Sequence, residues 1–183
     1  MSAMKGKSIF IIPILFLVLF TDINAQSSTS SLDISKPPTG ELSEGQLTVI
    51  ANDIRRLESH PLAHDAKQAR AHLFKWISGS PDIHVQICSG IIGPLLESES
   101  KYQGELLMQF LLSGAAYAIE NPKQRDNKTA IAENGIIGAL NTYNIFKEIE
   151  GEPVRDDFME RMTDLRKQDK LRQYVEEGVK SCQ

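Results

Sequence analysis

Residues 101–122, KYQGELLMQFLLSGAAYAIENP, are apolar nearly all the way round a helical wheel. A helix of that kind has no face to offer water, so other elements must cover it on every side. Pro122 bounds it, because the residue before a proline avoids helical angles and the ring itself has no N–H to donate. The chain must therefore wrap its remaining sequence around a central helix at 102–121.

That remaining sequence carries mostly helical periods. Ser43 is placed to cap a helix whose Leu47, Ile50, Ile54 and Leu57 recur at spacings of three and four. Pro61, with His60 as cap, is expected to open a second helix. Its Leu62, Ala66, Ala69, Leu73, Trp76 and Ile77 fall within one arc of about 100°. Ser80 and Pro81 repeat the device, but Ile83, Val85 and Ile87 then alternate as a strand would, and the two readings compete there. Beyond the central run, Ile131, Leu140, Tyr143, Phe146 and Ile149 mark one side of a helix that Gly151 stops. Two shorter helices near 153–167 and 170–181 carry Val154, Phe158, Met162 and Leu165, then Leu171, Tyr174, Val175 and Val179.

The pair Asn134-Gly135 lies inside a helical period, so it does not signal a hairpin. Gly104, Gly114, Ala115 and Ala116 on one helix, and Gly135, Gly138 and Ala139 on the next, strip side-chain bulk from facing surfaces. Glycine inside a helix costs about 1 kcal/mol, and close approach of two backbones is the steric reason that best repays it; a ligand groove is the other use. The expected fold is all-α, one bundle of six or seven helices spanning 43–183.

The N-terminus reads as an export signal over residues 1–25. Lys5 and Lys7 precede an apolar run from Ile9 to Phe20, and Ile23 and Ala25 fit the −3 and −1 positions of a cleavage site. The run is too short for a bilayer, which needs about 20 residues, so no retained membrane span is expected. Residues 26–42, QSSTSSLDISKPPTGEL, are rich in serine and proline and read as a flexible tether. Loss of Lys5, Lys7 and Asp22 with the signal moves the formal charge from −4 to −5. With no basic excess to displace counterions, nucleic acid is not an expected partner.

Candidate chemistry is sparse. His60 and His64 have the spacing of a helical metal pair, but His60 precedes Pro61 and is expected off the helix. His72 lies too far along to join His64, and catalytic zinc needs three protein ligands, so neither metal nor cofactor is expected. Asp156 and Asp157 suit the first turn of a helix, where negative charge complements the dipole. Asn127 heads an Asn-Lys-Thr glycosylation acceptor, usable only in a eukaryotic host.

The stretch DIHVQICSG places His84 four residues before Cys88, one of only two cysteines. An activated Cys88 thiolate would attack acyl carbons as a hydrolase or transferase, but it needs an orienting carboxylate or amide and an oxyanion site that nothing nearby signals. In an exported chain the economical use of two cysteines is to join them, and a Cys88–Cys182 disulfide is expected, with no catalytic residue assigned. Three functions follow as expectations. The chain is a non-enzymatic exported binding or interaction module with a protein partner, a thiol enzyme using Cys88 and His84, or a carrier of a small apolar ligand.

Overall fold

The computed structural model describes residues 42–150 and 154–182. The expected signal peptide, and the expected tether up to residue 41, lie outside the described residues. Within them the chain forms seven α-helices and a short 3-10 turn at Pro122–Gln124, with no strand. The helices are α1 (Glu44–Ser59), α2 (Ala66–Ser78), α3 (Ser89–Leu96), α4 (Gln103–Glu120), α5 (Lys128–Glu150), α6 (Asp157–Lys167) and α7 (Leu171–Ser181). The bundle is all-α, as expected.

Local chemistry sets the helix starts. Ser43 and Gln46 exchange side-chain and backbone hydrogen bonds in a capping box that opens α1. Asn127 Oδ1 accepts from the Ala130 N–H at 3.0 Å and opens α5. Asp156, buried, accepts from the Met159 N–H at 2.9 Å and opens α6, so this acid caps the helix while Asp157 occupies its exposed first turn. Ser98, in the connection after α3, donates its hydroxyl to the same Asp156 carboxylate.

Helix α4 is the shared wall of two apolar clusters. Its Leu112, Ala115, Ala116 and Ile119 face Ile50, Ile54 and Leu57 of α1 and Leu73 and Trp76 of α2. Its Leu106, Phe110 and Leu111 face a second cluster contributed by α3, α5, α6 and α7. The most extensive pairing is α4 with α5. Glycines bring these two backbones together: a Cβ on Gly135 would lie 2.8 Å from the Phe110 carbonyl oxygen, and one on Gly138 would run into Ser113. Gly104 has open space around it, so this glycine is not part of the close approach.

A buried polar seam crosses the junction of α1, α4 and α5. Ser113 Oγ donates to Glu58 Oε1 at 2.6 Å, and Gln109 Nε2 donates to Ser113 Oγ at 3.0 Å. Arg55 joins Glu58 to Glu120, donating to the Glu120 carboxylate at 2.7 and 2.9 Å. The buried Glu58 carboxylate is tolerated because Arg55 and Ser113 both donate to it, while Gln109 Oε1 is left without a partner among the described residues.

Both proline-led starts are corrected. Residues 60–65 form turns, His60 ends α1 by donating its N–H to Arg56 O at 2.8 Å, and α2 begins only at Ala66. Leu62 is accordingly 44% exposed and leaves the expected arc. Pro81 opens no helix either; residues 83–88 are irregular and the next helix is α3 at Ser89. Proline's fixed φ suits the first position of a turn as well as that of a helix, and here the turn wins. Ile149, expected on the buried side of α5, is 61% exposed.

Candidate functional site

Between Gly79 and Cys88 the chain travels from α2 to α3 without regular structure. Its entry is pinned by the buried Ser80, whose hydroxyl accepts from the Asp82 N–H at 3.4 Å. Ile83 turns into the α1–α2–α4 cluster and Val85 packs beside it. Val85 has room because Gly114 lacks a side chain: a Cβ there would sit 3.1 Å from Val85 Cγ1 and 3.2 Å from Ile131. Ile87 has no such pocket and stays 50% exposed.

The backbone of this strip is unpaired. Among the described residues, no N–H or C=O group from Ile83 to Ile87 has a hydrogen-bond partner. Regular bonding resumes with the N–H groups of Ile91 and Ile92, both 3.0 Å from the Cys88 carbonyl. The strip is surface-exposed at His84, Gln86 and Ile87, where its backbone is open to water, while Ile83 is buried.

The strip forms one wall of a groove with a volume of about 670 Å³. Phe74 and Ile77 at the end of α2, Leu111 on α4 and Ile131 on α5 supply apolar walls. Phe74 is 40% exposed, so two large apolar side chains, Phe74 and Ile87, meet solvent at its mouth. The segment leading into α5 adds Arg125, Asp126 and Lys128, none of them ion-paired among the described residues.

Cys88 and Cys182 close the floor of the groove. They stand at disulfide distance with their Cα atoms 6.0 Å apart, and the structure holds no free cysteine. Cys88 is buried, while His84 is exposed on the strip and makes no hydrogen bond to it among the described residues. The structure thus brings His84, Cys88 and Cys182 to one groove without assembling a nucleophile and its base.

The other candidates separate. His60 Nδ1 meets Ser59 Oγ at 3.0 Å, His64 is exposed and His72 half-buried. Among the described residues no three His, Cys, Asp or Glu side chains stand where they could hold a metal ion. Ser113, beside Glu58, is fully buried and out of reach of any substrate. Far from the groove, Tyr143 donates to Glu160 at 2.7 Å, and burial pushes its hydroxyl well above the usual range. Lys147, with Tyr143, holds Glu160 below the usual carboxylate range. No helix among the described residues is long and apolar enough to cross a membrane.

Compared with protein-family models, curated proteins and solved structures, the chain matches none. Its function must be argued from the groove. Sequence reasoning missed this site, although the alternating Ile83, Val85 and Ile87 were its trace.

Proposed function

We propose that this chain is an exported, non-enzymatic binding module that seats its ligand in the groove beside residues 83–88. The observation that carries the reading is an open apolar groove of about 670 Å³ with Phe74 and Ile87 exposed at its mouth. Pockets that hold ligands run from about 300 to 1,000 Å³ and are mainly apolar with a few polar groups, which describes this one. Export is supported by the signal-like residues 1–25 and by a cysteine pair of the kind that survives in oxidising compartments. A thiol enzyme would need a free Cys88 thiolate, and Cys88 stands at disulfide distance from the only other cysteine.

The volume also suits a small apolar molecule, which keeps the carrier reading as the second choice. Titration of the purified protein with the neutral probe N-phenyl-1-naphthylamine tests the site. One probe per chain is expected to bind saturably, and at least ten times more weakly to the F74D/I87D variant with unchanged far-ultraviolet circular dichroism. A folded protein that binds no probe, or a variant that binds it equally well, sinks the reading. Intact mass after denaturing, non-reducing alkylation tests the cysteines; an unmodified monomer is expected, and two added alkyl groups would revive the thiol enzyme.

A further inference from the structure

We infer that the ligand is an extended peptide with acidic side chains, which adds to residues 83–87 as a strand adds to a sheet edge. The inference rests on the groove being the ligand seat and names what fills it. An alkyl chain laid along this wall would shut water out from the exposed backbone at His84, Gln86 and Ile87 and offer its N–H and C=O groups nothing in return. An extended peptide brings its own N–H and C=O groups at the matching repeat, so hydration is exchanged for hydrogen bonds. Alternate side chains of such a peptide point to one face, into the apolar walls at Phe74, Ile77 and Ile131, while the others stay in water.

The sign of the charge follows from the rim. Arg125 and Lys128 outnumber Asp126, and the α5 N-terminus adds the positive end of its dipole beside them. His84, the remaining titratable group on the lining besides the cysteines, opposes an acidic peptide at no pH. The rest of the molecule is net acidic, so this is a local preference and not a general attraction.

The probes are fluorescein-labelled peptides TVEVTVE and TVKVTVK, with fluorescence anisotropy as readout and the whole mature protein as receptor. The acidic peptide is expected to bind at least ten times more tightly at low salt, and K128Q is expected to remove most of that preference. Two further versions of the acidic peptide decide the backbone claim: one N-methylated at every valine, the other at every threonine and glutamate. In an extended chain these two sets donate from opposite edges. One version is expected to lose binding more than thirty-fold and the other to keep it within about three-fold.

Equal binding of both methylated versions overturns strand addition, as does competition of the parent peptide by dodecanoate at equal or better affinity. Equal binding of the lysine peptide overturns the acidic preference. Peptides that fail where N-phenyl-1-naphthylamine binds would overturn this inference and leave the groove as a small-molecule seat. Failure of every probe would remove the binding reading itself.

Discussion

The two clusters that share α4 are held together differently. The cluster on the α1–α2 side is built from a 16-residue and a 13-residue helix, and α1 begins with a capping box. The cluster on the other side gathers α3, α6 and α7, of 8, 11 and 11 residues, onto α5. Helices that short are marginal alone and exist because of what they pack against. There the chain adds devices that the first cluster does without: a cysteine pair across a separation of 94 residues, and the close approach of Gly90 to Gly178. Short elements need covalent and steric fasteners; long ones need mainly their apolar face.

Removing the cysteine pair should break that comparison hardest. The loop-closure estimate for so long a separation is about 4.5 kcal/mol at most, less any native strain. In the C88S/C182S variant, hydrogen exchange is expected to accelerate in α7 and α3 far more than in α1 and α2. Equal acceleration across the molecule would mean that both clusters depend on the pair alike.

Next comes the steric fastener. A Cβ at Gly178 would lie 2.8 Å from the Gly90 carbonyl oxygen and 2.8 Å from Ile91, so G178A should cost about 1–3 kcal/mol. Gly104, with open space around it inside α4, serves as its control: G104A should stabilise by about 0.4–1 kcal/mol. Urea midpoints moving in the same direction for both would refute the assignment of Gly178 as a packing glycine.

The capping box sharpens the other side. S43A removes the acceptor for the Gln46 N–H and should cost about 1 kcal/mol, with the exchange rates of α7 unchanged. The smallest effect concerns pH. Glu160 is held below its ordinary 4.5 first by Lys147 and then by Tyr143. A depressed carboxylate stabilises the fold above its unfolded value, and that part disappears as pH falls through the lower folded value. Urea midpoints between pH 6 and 3 should therefore decline less steeply in E160Q than in the parent, by under about 1 kcal/mol for so exposed a pair. Parallel declines would assign the acid sensitivity elsewhere.

Most of the bundle was legible because its signals are local. The Ser43 cap, the three-four spacing of Leu47 to Leu57 and the all-round apolar α4 each reduce to neighbouring residues. Pro61 and Pro81 misled because one fixed torsion serves two structures, and α3 was hidden behind its own internal Pro94. Ile149 shows the limit of periodicity, since a helix can outrun the core that its face was meant to cover. The groove was illegible for a different reason. It exists where the end of α2, the strip at 83–88 and the start of α5 converge, and no window of sequence contains all three. Only the alternation of Ile83, Val85 and Ile87 left a local trace, in a strip with no strand to pair with among the described residues.

The α4–α5 pair also bears on the order in which the molecule assembles. Seven residues separate the two helices, so their contact closes a small loop, whereas the cysteines must wait for almost the whole domain to come together. This hairpin should form in the rate-limiting step, with G135A slowing refolding and G178A chiefly hastening unfolding; stopped-flow chevrons showing the reverse would discard the scheme. A chain that finds its centre before its ends needs an oxidant only once its architecture has already been chosen.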